Sequence, residues 1–331
     1  MEMTSFLVCP QCHGELVRSG AVFHCRECAT AYPVVDEVPQ FDAPKPGQAD
    51  PDNGGRDARR DYWNRGWEAR FQGDHAFLSG LNTPSDWAAY LAPAMEKLRS
   101  CGHVSCVEAR REVVNGKVVL DIGCGGGTTG AILAYCGAHY IGLDHSSNAA
   151  VYSLRHLKGV GGEGFTVQGN AESLPIRSNS IDIIYSNGVL HHTPNFVTAM
   201  DEVYRVLKPG GTAIIALYAT YSTQFGVLRL LGILRGRLSR AAIERWMGEA
   251  SEGDWRTADR LNPWTETFSE KQLRQAMRKY DVGNLSFRKN GSPIGELPRI
   301  GASLSRHALV QRIDRALEPW LGSMLIMSFG K

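Results

Sequence analysis

Apolar positions in this chain fall into two rhythms. Short continuous apolar runs recur between residues 118 and 219: VVLDI, YIGLD, the FTVQ that begins at Phe165, IDIIYS and TAIIALYA. Runs of that length, bounded by glycine, proline or asparagine, predict buried strands. Between the last two, Phe196, Val197, Met200, Val203, Tyr204 and Leu207 recur at helical spacing. Thr193 is placed to cap that helix, Pro194 suits its first position, and Lys208-Pro209-Gly210-Gly211 stops it. Ser269 and Gln272 make a capping box for a helix over 269–280, with Leu273, Met277 and Tyr280 on one face. GNLSFRK and SMLIMSF read as two final strands. Residues 59–112 read as helical, with Trp63 and Trp67 one turn apart and Trp87 further on. The tryptophans make either a face packed on the core or an aromatic lid. Strands alternating with helices predict a doubly wound α/β sheet.

The first strand runs straight into VVLDIGCGGG, and the second ends in Asp144. An acid, a glycine loop and a second acid are how such a sheet builds a pocket for an adenosine-containing cofactor. Two registers fit. Gly125, Gly127 and Gly130 satisfy the dinucleotide pattern, and Asp121, Gly123, Gly125 and Gly127 make an acid-led loop. Charge separates them. A pyrophosphate at the helix N-terminus would be repelled by Asp121. The cationic ammonium and sulfonium of S-adenosylmethionine would be attracted by it. Asp144 can accept from both ribose hydroxyls.

LDIGCGGG, GLD, GNAESLP, SNGVLHH and RVLKPGG, in this order, resemble the class I S-adenosylmethionine-dependent methyltransferases, in the branch that holds quinone-biosynthesis and natural-product enzymes. The resemblance spans roughly 117–219. It implies a Rossmann-like seven-stranded sheet with helical lid insertions. It places Asp121, Gly123, Cys124, Gly125 and Gly127 at the methionine end and Asp144 at the ribose, with His145 beside it. Asn170 and Ala171 would flank the adenine, with Glu172 next to them, and Asn187 would lie near the methyl-bearing sulfur. The family usually has Asp where this chain has Asn170; an amide oxygen still accepts a hydrogen bond. His191 and His192 follow on the loop that faces the sulfonium in this family, so one of them is a candidate base. Alternatively, they only pack. The loop lacks the Asn/Asp-Pro-Pro-Tyr motif of amino-methylating relatives and the Pro-Cys pair of RNA cytosine-C5 enzymes.

Ahead of this domain, Cys9-x2-Cys12 and Cys25-x2-Cys28 form two knuckles suited to a closed tetrahedral zinc site. Rubredoxin-type iron is the other candidate. The surrounding residues resemble the small zinc-ribbon activator of tRNA and protein methyltransferases. Four thiolates leave no open position, so the metal is expected to be structural, with His13 and His24 as bystanders. Residues 1–43 carry two arginines and six acids, a net −4. Phosphate binding needs the opposite sign, which leaves a folding or docking module.

The predicted organisation is a zinc ribbon over 1–43, a Pro/Gly/Asp-rich linker over 44–58, a helical lid over 59–115 and the methyltransferase domain over 116–331. Insertions fall at about 220–267 and 290–318. The whole chain of 331 residues carries a formal net charge of only +2. Residues 221–319, however, hold 17 Lys/Arg against 11 Asp/Glu. FGVLRLLGILRGRLSR reads first as a solvated lid helix, then as a collar for an anionic substrate, and last as a membrane-surface helix. No run has membrane-spanning length or resembles a signal peptide. Four further cysteines are scattered, as in a reducing cytoplasm. The expected activity is methyl transfer to O, N or activated C of a small molecule, in quinone or secondary metabolism. An RNA base methyltransferase and a non-catalytic cofactor-binding subunit are the alternatives. Oligomeric state is not readable.

Overall fold

The computed structural model describes residues 2–42, 53–71, 80–81, 83–101, 110–234, 236, 239, 242, 264–295, 304 and 306–331. Expectations for 43–52 and for most of 235–263 and 296–305 lie outside the described residues. The chain divides into two units. The first is Met1–Ser186, Val197–Ala213 and Lys331; the second is Asn187–Phe196 and Ile214–Gly330.

The first unit opens with an antiparallel meander of β1 (Leu16–Ser19), β2 (Val22–Cys25), β3 (Ala31–Val35) and β4 (Val38–Pro39). Helices α1 (Asn53–Phe71), α2 (Pro84–Cys101) and the short α3 (Arg111–Val114) follow. α1 begins inside the segment that composition marks as linker. A parallel sheet then forms from β5 (Val118–Ile122), β6 (His139–Asp144), β7 (Gly164–Gln168) and β8 (Ile181–Asn187). The crossovers are α4 (Thr128–Tyr135) and α5 (Ser147–Gly159). The helix anticipated after Thr193 is α6 (Phe196–Val206), two residues later than Pro194 implies. Strand β9 (Leu207–Tyr218) then starts earlier than expected. Lys208-Pro209-Gly210-Gly211 is already paired, because the amide of Gly210 donates to the Lys331 carbonyl and that of Lys331 to Gly211.

The second unit adds α7 (Thr223–Leu234), α8 (Glu270–Met277), β10 (Gly283–Asn290), α9 (Ala308–Leu321) and β11 (Met324–Gly330). The capping box of Ser269 and Gln272 forms as the sequence predicts. β10 and β11 are antiparallel. The sheet order is β10-β11-β9-β8-β5-β6-β7, seven mixed strands. β8 and β9 run through both units.

In this order β7 is an edge strand, and the N-terminal module closes it within the first unit. Gln40 bridges Gln168 in parallel register, and the Phe41 amide donates to the Gln168 carbonyl. Leu7 bridges Ile176, with Val8 donating to Pro175 and Arg177 donating back to Phe6. An uncovered edge is a template for aggregation; here the chain pairs it with itself. One buried ion pair holds this seat from behind. Arg205 binds both carboxylate oxygens of Glu202 at 2.7 and 2.8 Å and reaches the carbonyls of Leu174 and Ile176, while Glu202 accepts from the Leu174 amide. Arg205→Ala should cost about 3 kcal/mol, because it strands a buried carboxylate. Arg205→Lys should not restore it, lacking the planar fork. Chemical denaturation checks both.

Candidate functional site

Glycine shapes the loop after β5. Gly125 and Gly127 have φ of +51° and +85°, the left-handed region that L-residues rarely adopt. A Cβ on Gly127 would lie 2.4 Å from the Cα of Ser153. The turn folds the loop back onto β6. The amides of Gly123 and Cys124 donate to the Leu143 carbonyl at 2.7 and 3.0 Å. The amide of Gly125 donates to Asp144 Oδ2 at 2.9 Å, and that of Ser146 to Oδ1 at 2.8 Å. Asp121, buried at the end of β5, accepts from the Tyr140 hydroxyl at 3.0 Å.

Burial pushes the Asp121 carboxyl up to about 7; the Tyr140 bond opposes the rise and the Asp144 charge adds to it. Burial raises Asp144 as well, against the Ser146 and Gly125 amides. Among the described residues no lysine or arginine pairs with either acid. Two buried acids beside a glycine loop fit a cationic ligand that also carries a diol. The buried Cys124 thiol is held well above its usual range, first by burial and then by both carboxylates, so it is unreactive here.

α1 supplies a wall over this loop. The Trp67 ring lies over Gly125, whose Cβ it would meet at 2.8 Å. Phe71 stacks on Trp67 at 5.3 Å and on Tyr152 at 3.4 Å. Asn64 accepts from Ser146 Oγ at 2.7 Å, and its carbonyl accepts from Asn148. Trp87 instead is core, packed on His156. The Gly169 amide donates to the Asp144 carbonyl, which brings the 169–172 turn beside the second acid. In that turn Asn170 Oδ1 accepts from the Glu172 amide at 2.9 Å, so part of its acceptor capacity serves the turn itself. Ala171 and Glu172 are half-buried. His145 meets Asp42 at 3.0 Å, and Arg60 donates to the Asp42 carbonyl. Asn64 and Asp42 belong to no motif, and Tyr140 stands in the sequence only as the first residue of the YIGLD strand, with nothing to mark its hydroxyl as a partner of Asp121.

In the second unit, Asn187 opens the loop and His191 and His192 are both buried. His191 Nδ1 accepts from the Tyr218 amide at 3.3 Å, its ring stacks on Tyr218 at 3.7 Å, and Nε2 has no hydrogen-bond partner among the described residues. Burial holds His191 well below the usual histidine range, and the His192 charge adds to this. His192 Nδ1 lies 3.1 Å from the Trp264 carbonyl and from Thr265 Oγ1. A carbonyl only accepts, so Nδ1 carries the proton and Nε2 the lone pair.

The sulfurs of Cys9, Cys12, Cys25 and Cys28 lie within 4.8 Å of one another. Cys9–Cys28 and Cys12–Cys25 are 3.6 and 3.4 Å apart. A zinc tetrathiolate has sulfur–sulfur edges of about 3.8 Å, so the donor set fits. His13 and Ala29, each just after the second cysteine of a knuckle, share left-handed φ of 58° and 57°. The two knuckles thus turn alike, and His13 makes the turn without joining the cluster.

Residues 120–215 match the methyltransferase-domain family and residues 2–37 the Trm112p-like protein family. A sterol 24-C-methyltransferase of Pneumocystis carinii is 30% identical over 171 residues, 49% of this chain and 38% of that protein. An uncharacterized methyltransferase of Mycobacterium ulcerans is 34% identical over 152 residues, 44% and 57% of the two chains. A demethylmenaquinone methyltransferase of Clavibacter sepedonicus is 35% identical over 107 residues, 32% and 43%. Fold and family match define a class I S-adenosylmethionine-dependent methyltransferase domain. In this chain that domain follows a Trm112p-like module carrying a four-cysteine cluster. The chain spans about two fifths to under three fifths of the length of these relatives.

Burial pushes the Asp121 carboxyl from an ordinary 3.8 up to about 7. An acid raised in this way resists ionising in the folded state, so stability falls as pH rises from about 4 to about 7. In ligand-free protein Asp121→Asn should therefore gain on wild type across that window, by roughly 4 kcal/mol. Denaturation at about pH 4 and about pH 8 checks the difference.

Proposed function

We propose that the chain is a methyltransferase that binds S-adenosylmethionine at the glycine loop and methylates O, N or activated C of a small-molecule acceptor. The observation that carries this reading is the pair of buried acids, Asp121 and Asp144, around a loop with no cation of its own among the described residues. Bound there, S-adenosylmethionine supplies an electrophilic methyl group on a cationic sulfonium. In this reading Asp121 and the loop from Gly123 to Gly127, whose Gly123, Cys124 and Gly125 amides are held by β6, border the methionine end. Asp144 offers its remaining lone pairs to the ribose hydroxyls, with His145 at its side. Asn170, Ala171 and Glu172 border the adenine. Trp67 excludes water over the loop.

By the family resemblance of its loop, Asn187 stands by the reacting sulfur and a histidine takes the acceptor's proton. Of the two, His192 is the better base. The Trp264 carbonyl holds its proton on Nδ1 and turns the lone pair onto Nε2. His191 commits its own lone pair to the Tyr218 amide and resists protonation. Two of these relatives are named for a sterol and for demethylmenaquinone, and an apolar ring acceptor extends from them. Four sulfurs at tetrathiolate spacing would hold structural zinc. The likeness to quinone and secondary metabolism, and a cytoplasmic setting, belong to the same proposal.

Tritium transfer from methyl-labelled S-adenosylmethionine into cell extract, split into small-molecule, RNA and protein fractions, tests the acceptor class. Label in the small-molecule fraction is expected; label in RNA overturns the reading. Asp144→Ala should abolish cofactor binding in a calorimetric titration, and unchanged affinity sinks the pocket assignment. His192→Gln should lower turnover about 100-fold or more with cofactor affinity intact. His191→Asn, which keeps an acceptor for Tyr218, should retain most activity. Equal losses in the two variants would place the pair in packing.

A further inference from the structure

Exposed apolar side chains are unevenly shared between the two units. Of the fourteen large hydrophobic residues exposed to solvent among the described residues, Val17, Val35, Tyr135 and Val197 belong to the first unit and ten belong to the second. They concentrate on α7 and α9. α9 has no buried residue at all. Leu309, Ile313, Ala316 and Trp320 recur at i, i+4, i+7 and i+11, which puts them on one face of the helix. Leu309 is 69% exposed and Trp320 75%. Tyr221, ahead of α7, is 70% exposed. Lys289 donates to the backbone carbonyls of both Tyr221 and Trp320, which ties the main chains of the two residues to one ammonium.

The charges of α9 are sorted by side. Its two acids turn inward: Asp314 accepts from Ser292 and from the Ile294 amide, and Glu318 from the Gly291 amide. Arg312 and Arg315 stay exposed, as does Arg306 just before the helix. An exposed leucine is ordinary, but a stripe of large apolar residues at helical spacing marks an interaction surface. Cationic flanks, an exposed apolar stripe ending in Trp320, and inward acids narrow the partner to one whose surface is anionic with apolar depth. A lipid interface offers both together.

We propose that the outer face of α9, with Tyr221 beside it, rests on an anionic membrane surface. The helix lies in the interface: Leu309, Ile313 and Trp320 enter the acyl boundary and Arg306, Arg312 and Arg315 meet the headgroups. No helix among the described residues is long and apolar enough to cross a membrane, so the contact is peripheral. The proposal stands on the second unit alone and does not depend on the methyl-transfer reading.

Co-sedimentation of the full chain with vesicles tests it, using phosphatidylcholine alone and phosphatidylcholine mixed with phosphatidylglycerol. Binding to the mixed vesicles is expected, with much weaker binding to the neutral ones and release by salt. Arg312→Ala and Arg315→Ala should each weaken binding about fivefold. Ile313→Asp with Trp320→Asp should weaken it more than tenfold, at an unchanged melting temperature. Leu309→Ala with Trp320→Ala gives a milder second test should the first variant melt early. No binding to the mixed vesicles overturns the proposal. So does loss of a dimer on Ile313→Asp/Trp320→Asp with vesicle binding unaltered, which would assign the stripe to a second copy of the chain.

Discussion

The Asp144 carboxylate joins two backbone amides, one from Gly125 in the loop after β5 and one from Ser146 at the head of α5. Much of the first unit is arranged to allow that bridge. Left-handed glycines let the loop turn back far enough for the Gly125 amide to reach β6. Ser146, held through its amide, caps α5 by accepting from the Ala149 amide, while its hydroxyl donates to Asn64 on α1. One acid therefore sets the loop, a helix start and the wall above them. A carboxylate suits this role because it accepts several charge-assisted bonds at once.

A second constraint comes from the sheet edge. β7 carries the turn that follows Gln168 and faces Asp144, so its position matters to the site as well as to solubility. The N-terminal module pairs with it at Gln40 and Phe41, and then continues to Asp42 and its 3.0 Å contact with His145. Gln168 completes the link: its side-chain oxygen accepts from the Asp42 amide and its nitrogen donates to the His145 carbonyl. The end of the four-cysteine module is thereby in contact with the residue next to Asp144, through bonds that span more than a hundred residues of sequence.

Sequence legibility followed locality. VVLDIGCGGG carries its strand, its acid and its obligatory glycines within ten residues, and the cysteine knuckles are equally local, so both could be read directly. The box of Ser269 and Gln272 is shorter still and forms as read. Features that depend on distant partners were not legible. Lys208-Pro209-Gly210-Gly211 looks like a stop and is one for the helix, yet Lys331 draws it into β9. The tautomer of His192 is set by Trp264, some seventy residues on. Asn64 sits between two tryptophans that attract attention, while the hydrogen bonds are its own. Trp67 settled onto the glycine loop and Trp87 into the core, a split that helical spacing alone could not make.

The electrostatics of the first unit carry a cost that a structural role does not explain. Burial raises both acids, the Asp144 charge adds to the rise at Asp121, and moving that carboxyl from 3.8 to about 7 corresponds to roughly 4 kcal/mol of resistance to charge. A fold selected for stability alone would place an amide or a cation there. A monocation about 4 Å away, at an effective dielectric of about 20, returns roughly 4 kcal/mol. The two magnitudes match, so one bound positive charge is enough to offset the penalty. Neutral adenosine without a cationic tail would leave it standing, and a pyrophosphate would deepen it. The glycine loop by itself fits several nucleotides; the acids beside it select for charge.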